Sequence, residues 1–226
     1  MIDFILAHYP VFLQGLGTSL WLALLGLLLG VVLATLSTMA IQSRRTWLSF
    51  PVQGFNHFLR STPFLVQLYL LYYGLPQFDV IHNSIFWPLL ASPAFCAIFA
   101  LALNSNAYTT VLLDGAVRAI PRGEIEAAEA LGFSKTQLFF GIQLKRVLIS
   151  SWPAYTNEVI LIFKATSIAS TITVLDLMGV TRHLMADTYQ FNECLLIAAV
   201  LYLFTTYLLS GILYCVKRRY ITLTHQ

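Results

Sequence analysis

The chain has 226 residues, of which 58% are hydrophobic and 10% charged, with a net charge of +3 and a mean hydropathy of +0.75. Soluble domains carry about 25% charged residues. The composition therefore excludes a water-soluble globular protein and describes a polytopic membrane protein; so small a net charge says little about nucleic acid, and no nucleic-acid partner is expected.

Taken in chain order, the N-terminus "MIDFILAHYP" lacks the basic flank of a cleaved signal peptide, so the first apolar segment is expected to remain as a span. A membrane helix needs about 20 apolar residues, and five segments meet that length. The first runs from Leu16 to Ile41 and the second from Phe58 to Phe78. The third covers Pro93 to Leu113, and the fourth, Val147 to Ala169, is interrupted by Pro153 and carries Glu158 and Lys164. The fifth is Cys194 to Val216. Between the last two, "STITVLDLMGVTRHLMADTYQ" is too polar to span and reads as short helices with Gly179 as a break. The expected fold class is all-α, with one transmembrane domain over residues 1–226. Cys96, Cys194 and Cys215 lie in apolar stretches without ligand spacing and read as packing residues. The histidines His8, His57, His82, His183 and His225 are scattered, and no metal site is expected.

Lysine and arginine placement sets orientation. Arg44, Arg45, Arg60, Arg118, Arg122, Lys135, Lys145, Arg146, Lys217, Arg218 and Arg219 fall on one side, leaving only Lys164 and Arg182 of the 13. With five spans this puts the N-terminus outside and the C-terminus inside.

The stretch "RGEIEAAEALGF", Arg122 to Phe133, is a charged island between the third and fourth spans. Pro121 suits a helix start, Glu124 and Glu126 sit near the positive N-terminal end, and Gly132 fits a stop at positive φ. Ser134 is placed to cap a second short helix. Apolar Ile125, Leu131, Phe133, Phe139 and Phe140 are interleaved with the charges. A solvated linker has no reason to show them, whereas a partner groove would cover them.

Ionisable and amide groups inside spans mark either helix–helix glue or a polar cavity. Glu158 lies about 11 residues, hence about 16 Å, into its span. Asn157, Asn104 and Gln67 are at comparable depth. Asp114 is expected near a wetted helix end, and Lys164 to snorkel outward or pair with a neighbouring helix. No G-x-x-x-x-G-K-[ST] loop is present, so the chain does not hydrolyse ATP by that device.

"EIEAAEALGF" followed by "GIQL" resembles the EAA loop of ABC-transporter permease subunits. "RSTPFLVQL" resembles the second-span signature of polar amino-acid permeases, and "NSNAYTTVLLDGAVRAIPRGEIEAAEALGF" and "AYTNEVILIFKATSIASTITVLDLM" resemble their branch for histidine, lysine, arginine and ornithine. One departure is Leu144-Lys145, where the family continues with Leu-Pro. The resemblance implies a type I importer permease in a bacterial inner membrane, with residues 119–141 forming a cytoplasmic coupling loop. Glu124, Glu126, Ala127, Ala128, Gly132 and Phe133 would meet the ATPase. Glu158, Asn157, Asn104, Gln67, Thr62 and Ser167 would line the substrate path. It also implies a dimer of ABC ATPase subunits that binds ATP and Mg, a second permease chain (identical or a sister), surrounding membrane lipid, and a periplasmic amino-acid-binding protein. An intramembrane hydrolase or lipid transferase would need a catalytic pair at matched depth, which the isolated Glu158 does not supply. A small channel or scaffold would not account for the semi-apolar loop.

Overall fold

A computed structural model describes residues 2–43 and 45–224, so Met1, Arg44, His225 and Gln226 lie outside the described residues. Eleven α-helices follow one another, and no strand occurs among the described residues. They are α1 (Ile2–Gln42), α2 (Thr46–Ser61), α3 (Phe64–Tyr69), α4 (Asp79–His82), α5 (Trp87–Leu90), α6 (Pro93–Arg118), α7 (Arg122–Ala130), α8 (Lys135–Leu138), α9 (Leu144–Ala165), α10 (Leu177–Thr188) and α11 (Phe191–Thr224).

Among the described residues, three helices are long and apolar enough to cross a membrane: Leu6–Gln42, Pro93–Arg118 and Phe191–Arg219. A fourth element joins Lys135–Ile172 to α10 through a 46° bend. The second expected span is not one helix. Thr62 and Pro63 are extended (φ/ψ −110/143° and −61/136°), so α2 stops at Ser61 and a new helix starts at Phe64. Proline removes a donor and drives its predecessor out of the helical region. From Phe64 the chain stays helical through a π-turn at Leu70–Gly74 and a 3-10 turn at Leu75–Gln77.

Two other expectations fail for physical reasons. The helix passes through Pro153 unbroken, as membrane helices allow when surrounding groups satisfy the freed backbone. Gly179 is not a break but lies in the first turn of α10, where an added Cβ would collide with the carbonyl of Val174. The actual break precedes it, at Thr173 (φ 69°) and the extended N-cap Asp176.

Helix α1 reaches well beyond the expected start because Phe4 and Phe12 bury against Leu177, Val180, Leu184 and Cys194. Its central stretch crosses α6 closely. A Cβ on Gly26 would sit 2.8 Å from Leu101 Cβ, and one on Gly30 would sit 2.8 Å from Ser105 Cβ. Small residues at four-residue spacing let membrane helices approach in this way. The main core gathers Leu22 and Ala23 of α1, Leu68 of α3, Ala97 and Leu101 of α6, and Phe163 of α9. The outward side chains are largely apolar, among them Trp21, Leu28 and Leu36 on α1 and Leu196, Phe204 and Tyr207 on α11, which suits a hydrocarbon surround. Cys96 and Cys194 are buried, while Cys215 is exposed.

Candidate functional site

The break at Thr62–Pro63 opens one wall of the protein. A cavity of about 540 Å³ lies there, lined by Arg60, Thr62, Asn104, Tyr108, Glu158 and Leu161, among others. Three helices supply the polar groups: the end of α2, the middle of α6 and the middle of α9. Of the six path residues expected from the sequence, Thr62, Asn104 and Glu158 come together here.

The other three do not. The Gln67 side-chain amide donates to the carbonyls of Leu59 (2.6 Å) and Thr62 (3.1 Å) and to Thr62 Oγ1 (2.8 Å). It satisfies carbonyls freed where α2 ends, so it holds the break that shapes the cavity. Asn157 is exposed and lies outside the cavity lining, because adjacent helical residues point about 100° apart. Ser167 sits in the 3-10 extension of α9, Thr166–Ile172, and donates to the Lys164 carbonyl at 2.8 Å.

Glu158 is only 5% exposed, and its Oε1 has no hydrogen-bond partner among the described residues. Lys164 is exposed further along the helix and forms no ion pair with it among the described residues. A carboxylate in this setting is a receptor for a cation or a hydrogen-bond donor. Arg60 and Tyr108 are lining residues that sequence reasoning missed. The sequence places Arg60 with the basic residues of one side, yet it lines the same cavity as Glu158. The signal was available in "RSTP", where proline announces the break.

Other polar groups tie the helices to one another. Buried Asn106 donates to Asn56 Oδ1 (2.9 Å) and accepts from Ser37 (3.0 Å), joining α6 to α2 and α1. Asp114 accepts from Gln42 (2.9 Å) and Arg118 (2.9 Å) near the end of α6. Asp176, fully buried, caps α10 through Gly179 N (3.0 Å) and accepts from Ser19 (3.4 Å) and Tyr202 (3.5 Å).

The charged island folds as α7, an elbow and the start of the long fourth element. Gly132 has φ +80°, as its position after the helix predicts. Gly132 N–H donates to Glu129 O (2.9 Å) and Phe133 N–H to Ala128 O (3.1 Å), the paired closure of a Schellman turn. Ser134 and Gln137 then form a reciprocal capping box. The helix they start is not a separate short one: it runs through a π-turn, Phe139–Gln143, into α9. Ile125 turns inward beside Ala116, Ile120 and Val147. Leu131 (78% exposed), Phe133, Phe139 and Phe140 face out, as do Glu126 and Ala127, while Ala128 is buried. Glu124 forms a two-pronged pair with Arg146 at 2.7 and 3.0 Å, which ties α7 to α9.

Residues 10–222 match the family of binding-protein-dependent transport system inner membrane components. The chain belongs to this family. It is 37% identical to the octopine transport system permease of Rhizobium radiobacter over 92% of this chain and 84% of the relative. Against the arginine ABC transporter permease of Haemophilus influenzae it is 40% identical over 88% and 87% of the two chains. Against the histidine/lysine/arginine/ornithine transport system permease of Escherichia coli it is 38% identical over 92% and 87%. A solved amino acid ABC transporter with histidines superposes at a TM-score of 0.85 with 27% identity, covering 97% of this chain and 98% of that one. A methionine ABC transporter at 17% identity and a TM-score of 0.76 shares the fold. The type I importer permease fold is therefore this chain's fold, and the family places it in the inner membrane.

Proposed function

We propose that the chain is the permease subunit of an ATP-driven importer for basic amino acids, passing its solute through the cavity that contains Glu158. The observation that carries this reading is a buried carboxylate, unpaired among the described residues, on the wall of a cavity within an inner-membrane transport component. A carboxylate in low dielectric favours a cationic solute, and relatives named for arginine and for histidine/lysine/arginine/ornithine support that class.

The exposed face of residues 126–140 is the docking surface for a cytoplasmic ATPase that binds ATP and Mg. Its outward Leu131, Phe139 and Phe140 are the kind of side chains a groove covers. The chain itself is non-catalytic. It pairs with a second permease, receives solute from a periplasmic binding protein, and has its N-terminus outside and C-terminus inside. Co-purification tests the assembly. The tagged chain is expected to bring down an ATPase, and replacing Leu131 and Phe140 together by Asp should abolish recovery while leaving the chain in the membrane. Recovery without any ATPase, or unaffected recovery by the double variant, would contradict it.

A further inference from the structure

Glu158 answers the cationic end of a basic amino acid and leaves its other charge unmet. Every α-amino acid also carries a carboxylate, and a cavity holding only a glutamate would accept any organic amine of similar size. Arg60 lines the same 540 Å³ cavity. It sits in the last turn of α2, two residues before the extended Thr62.

The ordinary task for a cation there is to cap the free carbonyls of the helix end. Much of that task falls to other side chains. The Gln67 amide meets Leu59 O and Thr62 O, and the Thr62 hydroxyl lies 3.0 Å from Phe58 O. Arg60 makes no ion pair among the described residues, with Glu158 or with anything else. Arg60 therefore lines the cavity with no ion pair among the described residues, and Glu158, whose buried Oε1 has no hydrogen-bond partner among them, lines the same space. A planar fork of N–H donors matches a carboxylate bidentately. The volume falls in the ~300–1,000 Å³ range of small-molecule sites.

Resting on the reading of Glu158 above, we propose that Arg60 binds the α-carboxylate of the substrate, so that the cavity selects basic amino acids over amines lacking that group. Arg60 also borders a second cavity of about 410 Å³ with His57, Asp114 and Arg118. A mere charge barrier between the two spaces is the rival role.

Agmatine is arginine without its carboxylate and separates these roles. Binding of labelled arginine to the purified permease–ATPase complex, without binding protein, is measured with agmatine as competitor. The wild-type complex should prefer arginine about ten- to a hundredfold, the range of a charge-assisted hydrogen-bonded pair. Arg60→Gln should bring that ratio to within about threefold of unity, and Arg60→Lys should retain part of the preference. Equal binding of agmatine and arginine by the wild-type complex would overturn the proposal whether or not the variants assemble. So would an unchanged ratio in Arg60→Gln, including the case where both ligands tighten together as a barrier predicts. Loss of arginine binding in Glu158→Gln confirms the parent reading independently. Wild-type arginine binding that ignores Glu158 would overturn that reading and this inference with it.

Discussion

Glu158 is 5% exposed in the middle of a helix, and taking a carboxylate out of water costs several kcal/mol unless something compensates it. In the proposed role, a transported cation supplies that compensation transiently. Glu158→Gln keeps the size and removes the charge, so transport of lysine or arginine should fall by about tenfold or more, the scale of 1.4 kcal/mol. The variant should still assemble with its ATPase. Unchanged cation uptake, or loss of assembly, would make Glu158 a packing residue instead. Depth along the span puts Glu158 and Asn104 at one level, at about 1.5 Å per residue, and both line one cavity. Depth did not tell which polar group faces the cavity. Gln67 lies at the right level but turns to the carbonyls of Leu59 and Thr62, and that choice depends on the backbone break about one helical turn before it.

At the scale of elements, Gly132 carries the sharpest constraint. Its φ of +80° suits glycine, and nothing lies within 4 Å of where a Cβ would be, so the cost of a side chain there is conformational rather than steric crowding by neighbours. Left-handed backbone costs other L-residues about 1–2 kcal/mol, more for β-branched ones. Gly132→Val should therefore displace Ser134 and the helix it caps, leaving the chain inserted but uncoupling ATP hydrolysis from uptake. Normal coupled uptake at normal membrane abundance would refute this. The elbow was legible because helix stops and caps are written in local residue types, Gly132 and Ser134 among them. The interrupted second span was not, because a length rule sums hydropathy over Thr62–Pro63 without weighing the backbone. The close α1–α6 crossing was equally readable, in Gly26 and Gly30, but becomes meaningful only once Leu101 and Ser105 are known to lie opposite.

For the whole molecule, the composition alone excluded a soluble protein, and the all-α bundle followed from apolar segment lengths. Which helices meet is a tertiary outcome: Phe4 and Phe12 extend α1 by packing on α10 and α11, a partnership 165 or more residues away in sequence that no local pattern announces. The distribution of basic residues predicts a loop at Gln77 outside and a C-terminus at Gln226 inside. Reporter fusions at these two positions check it, and periplasmic activity at Gln226 or cytoplasmic activity at Gln77 would reverse the topology. The central claim, that this chain conducts basic amino acids under the drive of a partner ATPase, is tested most directly by uptake into proteoliposomes holding the complete complex. With ATP supplied on the ATPase side and binding protein on the other, lysine, arginine, histidine or ornithine should accumulate, and neutral amino acids should not. ATP-independent uptake, or accumulation of neutral in preference to basic amino acids, would contradict the account.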